Sequence, residues 1–155
     1  MHNVIEHLPD PQQMINIALK LLNPNGLICI VSPNDYNPLQ LAFVKANNKN
    51  KWWIVTPEHI NYFSFSSIRK LLEKQGLNIL EQTASYPLEL FLLMGEDYVS
   101  DQMIGRKIHE KRKMLEMALM DTGKEEMRRS LYHNFSELGL GREFTLVAQV
   151  KIKHD

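Results

Sequence analysis

The chain has 155 residues, 44% hydrophobic and 23% charged, the make-up of one globular domain rather than of a disordered or membrane-embedded polypeptide. Eighteen basic residues balance eighteen acidic ones, so no net field gathers nucleic acid or anionic lipid. The single Cys29 excludes an internal disulfide and a cysteine-built zinc site; with no basic-then-apolar leader and no apolar run of about 18 residues, the expected location is the cytoplasm.

The first element is a helix entered at Asp10-Pro11. Asp10 is placed to accept the free amides of the first turn, and Pro11 takes the first helical position, where a missing N–H costs nothing. Met14, Ile17, Ala18 and Leu21 then form one apolar face, and Asn23-Pro24-Asn25-Gly26 ends the helix. Leu27 to Val31 is apolar without alternation, which predicts a parallel strand covered on both faces. Helix, turn and strand make half of an α/β crossover, and the polar segment Ser32 to Pro38 lies where such sheets place ligands, outside a strand's carboxyl end.

Leu39 to Ala46 reads as a short helix, and Trp52 to Phe63 as an unusually aromatic connection. A second amphipathic helix begins near Ser64 to Ser67, carries Ile68, Leu71 and Leu72 inward and stops at Gly76. Leu77 to Thr83 follows as a strand. Tyr86 to Leu138 is helical, its methionines expected to pack on the sheet or a partner subunit in preference to covering a site mouth. Gly139-Leu140-Gly141 is a helix stop, and Arg142 to Lys153 alternates as a last strand. The basic residues Lys107, Lys111, Arg112 and Lys113 read as a solvated helix face, without a nucleic-acid reader motif.

Asn3-Val4-Ile5-Glu6-His7-Leu8-Pro9-Asp10-Pro11, followed by Leu21-Leu22-Asn23-Pro24-Asn25-Gly26-Leu27-Ile28-Cys29-Ile30-Val31-Ser32-Pro33-Asn34, resembles the stretch from the end of the fourth strand through the fifth strand of class I S-adenosylmethionine-dependent methyltransferases. Pro57 to Ser64, the helix over Ser66 to Gly76, and Gly141 to Ala148 resemble that family's later landmarks. The resemblance implies an α/β fold: part of a Rossmann-like sheet ordered 3-2-1-4-5-7-6, here its strands five, six and seven with their helices. Residues 1–155 form one truncated domain, with 86–138 a helical insertion before the last strand. The cofactor S-adenosylmethionine would bind through a Gly-rich turn after strand one and an acidic residue ending strand two, and the resemblance places both outside this chain. Poor cofactor binding by the chain alone is therefore expected.

The resemblance also implies a site. Glu6 and His7 stand at the methyl-transfer crevice, where a carboxylate beside an imidazole suits a general base, and His59 is a second base or orienting group. His2 and Asn3 would lie near the cofactor. Asn34, Trp52, Trp53 and Tyr62 are expected to line the acceptor pocket. In quinone-type O-methyltransferases a Glu-x-x-Glu-His pattern supplies metal ligands and a base; Asn3 stands where the first Glu would be, and no metal ligand is assigned.

Loss of strand four would leave an apolar edge with unpaired amides on the fifth strand. A homo-oligomer, a separate N-terminal half, or the Tyr86–Leu138 helices would cover it. The expected function is the C-terminal part of a methyltransferase for a small-molecule acceptor, inactive alone. The alternative is a non-catalytic dimerising or partner-binding module of the same descent.

Overall fold

Local chemistry sets the element boundaries in the computed structural model, which describes residues 1–151. A 3-10 turn at Ile5–His7 precedes helix α1 (Pro11–Leu21), whose cap is Asp10, with Oδ1 accepting the Gln13 N–H at 2.9 Å. Strand β1 (Leu27–Pro33) leads to α2 (Pro38–Asn47), where Asn37 and Gln40 form a reciprocal capping box. Helix α3 (Phe65–Lys74) is capped by Ser64 and followed by Gly76 at φ +79° before β2 (Leu77–Ala84). Three helices, α4 (Glu89–Leu93), α5 (Gln102–Asp121) and α6 (Glu125–Glu137), separate β2 from β3 (Glu143–Val150). Ile152 and Lys153, assigned to this last strand from the sequence, lie outside the described residues.

The three strands form one sheet in the order β1-β3-β2, with β3 antiparallel to both neighbours. Leu146 pairs with Ile30 on one side and Gln82 on the other. Ile28, Ile30, Phe144, Leu146 and Ala148 share the core face, where Ile15 of α1 and Ile68 and Leu72 of α3 join them. All of these are at most 6% exposed.

Three expectations are corrected. First, β1 is covered on one face only: Ile28, Ile30 and Ser32 are buried, but Leu27 is 52% exposed and Cys29 is exposed. Its apolar run suits two helical layers, and the described residues supply one. Its ladder partner is moreover the antiparallel β3.

Second, the β1 edge is partly paired. Val31 N–H donates to Met1 O at 2.9 Å, Asn3 N–H donates to Val31 O at 3.0 Å, and the Met1 amino group donates to Cys29 O at 2.6 Å. Residues 1–3 thus run beside β1, with His2 bridged in parallel to Val31. By strand alternation, Leu27 and Cys29 turn their N–H groups to that same side, where residues 1–3 pair only the Cys29 carbonyl. The helices after β2 do not cover it. Instead α6 lies on the opposite edge, where Ser136 Oγ donates to Gln82 O at 3.4 Å and His133 Nδ1 lies 3.1 Å from the same oxygen.

Third, of the two packings expected for the methionine-rich surface, on the sheet or on a partner subunit, the one on the sheet is not formed. Ile108 is the one buried residue among the twenty of α5, while Met103, Met114, Met117 and Met120 are 53–69% exposed.

Candidate active site

The site begins with a hydrophobic anchor. Ile5, fully buried against the core, fixes the 3-10 turn and carries Glu6 into the interior at 1% exposure. Glu6 Oε2 accepts the Ser32 hydroxyl at 2.8 Å, tying the carboxylate to the carboxyl end of β1. The Glu6 carbonyl accepts both Ile60 N–H and Asn61 N–H at 3.0 Å, and Asn61 Nδ2 donates to Leu8 O at 2.7 Å. These bonds dock the loop between α2 and α3 onto the turn.

Docking brings His59 edge-on to His7, ring centroids 4.8 Å apart. His7 Nδ1–H donates to the Glu58 carbonyl at 2.5 Å, leaving the Nε2 lone pair facing Glu6 Oε1 at 3.7 Å. Glu6 Oε1 and His59 Nδ1 are both buried without a hydrogen-bond partner. One ligand atom from each of Glu6, His7 and His59 falls within 4.8 Å of the others. A buried carboxylate oxygen without a donor beside two imidazoles calls for a proton or a cation between them.

A buried polar layer adjoins this cluster. Glu89 is fully buried, receives Gln40 Nε2 at 3.3 Å and lies 3.6 Å from Arg142 Nη1. Asp35 is 4% exposed, and Oδ2 has no partner. Burial drives its carboxyl up to about 7; the Arg142 charge opposes the rise, while Glu6 and Glu89 add to it. Sequence reasoning missed Asp35, Gln40, Glu89 and Arg142. Only Asp35 carried a signal, its place in the loop after a strand; Glu89 sits in an apolar stretch that gives none.

The structure unites Glu6, His7 and His59, holds Tyr62 against His59 and disperses the other candidates. Asn34 is corrected from pocket residue to clamp: fully buried, it donates to Gly139 O at 2.9 Å and Gly141 O at 3.0 Å and accepts Phe65 N–H at 3.3 Å, so its side chain has nothing left for a ligand. Tyr62 braces the loop, donating to His59 O and accepting Val55 N–H, each at 3.1 Å. Trp53 is 3% exposed and stacks edge-on with Tyr36 and Trp52, while Trp52 meets Phe43. The tryptophans form a wall behind the loop. His2 and Asn3 are exposed beside β1.

A cavity of about 360 Å³ lies under α5, lined by Tyr86, Tyr98, His109, Arg112 and Arg142 among others. It shares Arg142 with the buried layer but none of Glu6, His7 and His59.

Residues 1–82 match a family model described as a methyltransferase domain. The match spans more than half of the 155 residues. The chain belongs to this family of class I S-adenosylmethionine-dependent methyltransferase domains. No curated protein matches the chain. The matched segment of this methyltransferase chain holds Glu6, His7 and His59 and ends before the helices that follow β2. Methyltransferase domains of this kind use S-adenosylmethionine. The Gly139-Leu140-Gly141 turn is no cradle for it. Gly139 and Gly141 close α6 and enter β3; at Gly141 an added Cβ would stand 2.6 Å from both Ala84 Cβ and Ser85 O. That glycine permits close packing of protein on protein, not approach of a phosphate or ribose.

Proposed function

We propose that residues 1–151 are the acceptor-side part of a class I methyltransferase acting on a small molecule with an oxygen or carbon nucleophile. In this reading β1, β2 and β3 are strands five, six and seven of the family sheet, residues 1–3 are the end of strand four, and 86–138 is an insertion. The order β1-β3-β2 with an antiparallel centre supports it. The observation that carries it is the parallel pairing of His2 with Val31, which runs directly into Glu6 and His7 at the carboxyl end of β1.

The chemistry assigned to this chain is acceptor positioning and proton removal. Ser32 fixes one Glu6 oxygen, the Glu58 carbonyl fixes the His7 tautomer, and the free Nε2 takes the acceptor's proton beside the Glu6 carboxylate, which stabilises the resulting imidazolium. His59 orients the acceptor against the Trp52–Trp53 wall. The cofactor side comes from a separate N-terminal half pairing with the open part of the β1 edge, in the cytoplasm; a homo-oligomeric partner would cover that edge without supplying the cofactor side.

Calorimetry with S-adenosylmethionine tests this division. The chain alone is expected to give no micromolar isotherm, and micromolar binding overturns it. The open β1 face, with Leu27 and Cys29 exposed, favours a second reading, a partner-binding module without catalysis. That reading requires a partner complex whose assembly restores no cofactor binding; the first requires that assembly restore it.

A further inference from the structure

We propose that the cavity of about 360 Å³ under α5 binds a small carboxylate with a flat apolar body, its oxygens taken by Arg112, Arg142 and the Tyr98 hydroxyl. The cavity lies outside the segment that matches the methyltransferase family, and the inference does not depend on the acceptor-side reading.

Donors without acceptors carry it. Tyr98 Oη and Arg112 Nε are both buried with no hydrogen-bond partner among the described residues, and both side chains line the cavity. Burial, with the Glu89 charge adding to it, raises the Tyr98 hydroxyl above its ordinary range, so it stands as a donor at neutral pH. An unpaired buried N–H or O–H is costly, and two on the walls of one cavity call for an acceptor inside it. Arg142 adds a guanidinium whose contact with Glu89, at 3.6 Å, is too long for a hydrogen bond.

The rest of the lining sets the shape of the ligand. Gly105, Ile108, His109 and Arg112 recur at helical spacing on the face of α5 turned to the cavity. Ile108, Leu88 and the rings of Tyr86 and Tyr98 give it apolar walls suited to a flat hydrocarbon.

Charge balance selects the anion. Arg112 Nη1 is paired with Glu116 at 3.1 Å, Arg142 with Glu89, and Glu143 brings a carboxylate to the lining. The guanidinium charges are thus largely met within the protein, and what the cavity lacks is acceptor oxygen. A planar carboxylate supplies two such oxygens with a single charge, where phosphate would bring a second.

The test is a titration of the full chain with naphthoate, followed in ¹H–¹⁵N spectra that include the arginine Nε–H signals. One site is expected, with a dissociation constant on the order of 1 mM or below, as suits a ligand of this size. The Arg112 Nε–H signal should shift, naphthylmethanol should bind at least about tenfold more weakly, and inorganic phosphate should not displace naphthoate. Tyr98→Phe, which removes only an unpartnered hydroxyl, should fold like the parent and bind naphthoate about tenfold more weakly. The spectra of the unmodified protein decide the site even if the variant does not fold. Absence of naphthoate binding, equal binding of the alcohol, displacement by phosphate, an unshifted Arg112 Nε–H, or parental affinity in Tyr98→Phe each overturn the proposal.

Discussion

Helix α3 and helix α5 make opposite use of the same kind of sequence. Both show apolar residues at helical spacing, yet α3 buries Phe65, Ile68 and Leu72 among ten residues and α5 buries Ile108 alone among twenty. The difference follows from position. Helix α3 joins β1 to β2 and lies over the core face of the sheet, within the segment that matches the methyltransferase family. Helix α5 lies in the connection to β3, outside that match, and its methionines meet solvent. Periodicity tells which side chains share a face; only topology tells what that face meets.

The contrast is sharpest for core truncations. Phe144→Ala removes a fully buried ring stacked 5.7 Å from Phe65 and should cost about 3–5 kcal/mol in urea unfolding, with every amide losing protection together. Ile108→Ala should open α5 while the β3 amides stay protected in hydrogen exchange; simultaneous loss of both would erase the distinction between the two regions.

Asn34→Ala comes next, at about 2–3 kcal/mol by the same assay, because it strands the Gly139 and Gly141 carbonyls and the Phe65 amide. A loss below about 0.5 kcal/mol would mean that the loop after β1 is not clamped to the start of β3.

Asp35→Asn gives a smaller effect whose sign depends on pH. The folded carboxyl titrates near 7 against an ordinary 3.8, so between those values the native state holds a proton that the unfolded chain has lost. Stability from this group therefore falls as pH rises from about 4 to about 7 and is level above. The Asn variant should be more stable than the parent at pH 8, on the order of 2 kcal/mol, and equal to it at pH 4. A gain of the same size at both pH values would contradict the titration. The smallest expected change is Met114→Gln with Met117→Gln, within about 0.5 kcal/mol, since both side chains already face water.

Much of the first half was legible because its signals are local. The Asp10-Pro11 entry, the Ser64 cap and the Gly76 stop are read from neighbours in the chain, and each stands where its chemistry predicts. Glu6, His7 and His59 were singled out from a family resemblance, while their contact depends on bonds across 51 to 55 residues that no periodicity encodes. The errors share one cause. The two faces of β1, the clamp at Asn34 and the solvent-facing methionines each depend on which layer lies opposite, and a side chain's type does not specify its neighbour. Glu89 is the extreme case: a carboxylate in an apolar run reads as surface, and it is fully buried because Gln40 and Arg142 meet it there.

The central claim is that this chain carries the acceptor end of a methyltransferase. The most direct measurement is transfer of a labelled methyl group from S-adenosylmethionine to hydroxylated small molecules, with the chain assembled with a half-domain that carries the Gly-rich turn. Transfer that appears only on assembly and drops at least about a hundredfold in Glu6→Gln is the predicted result. Transfer unaffected by Glu6→Gln, or no transfer by an assembly that binds the cofactor, would contradict the account.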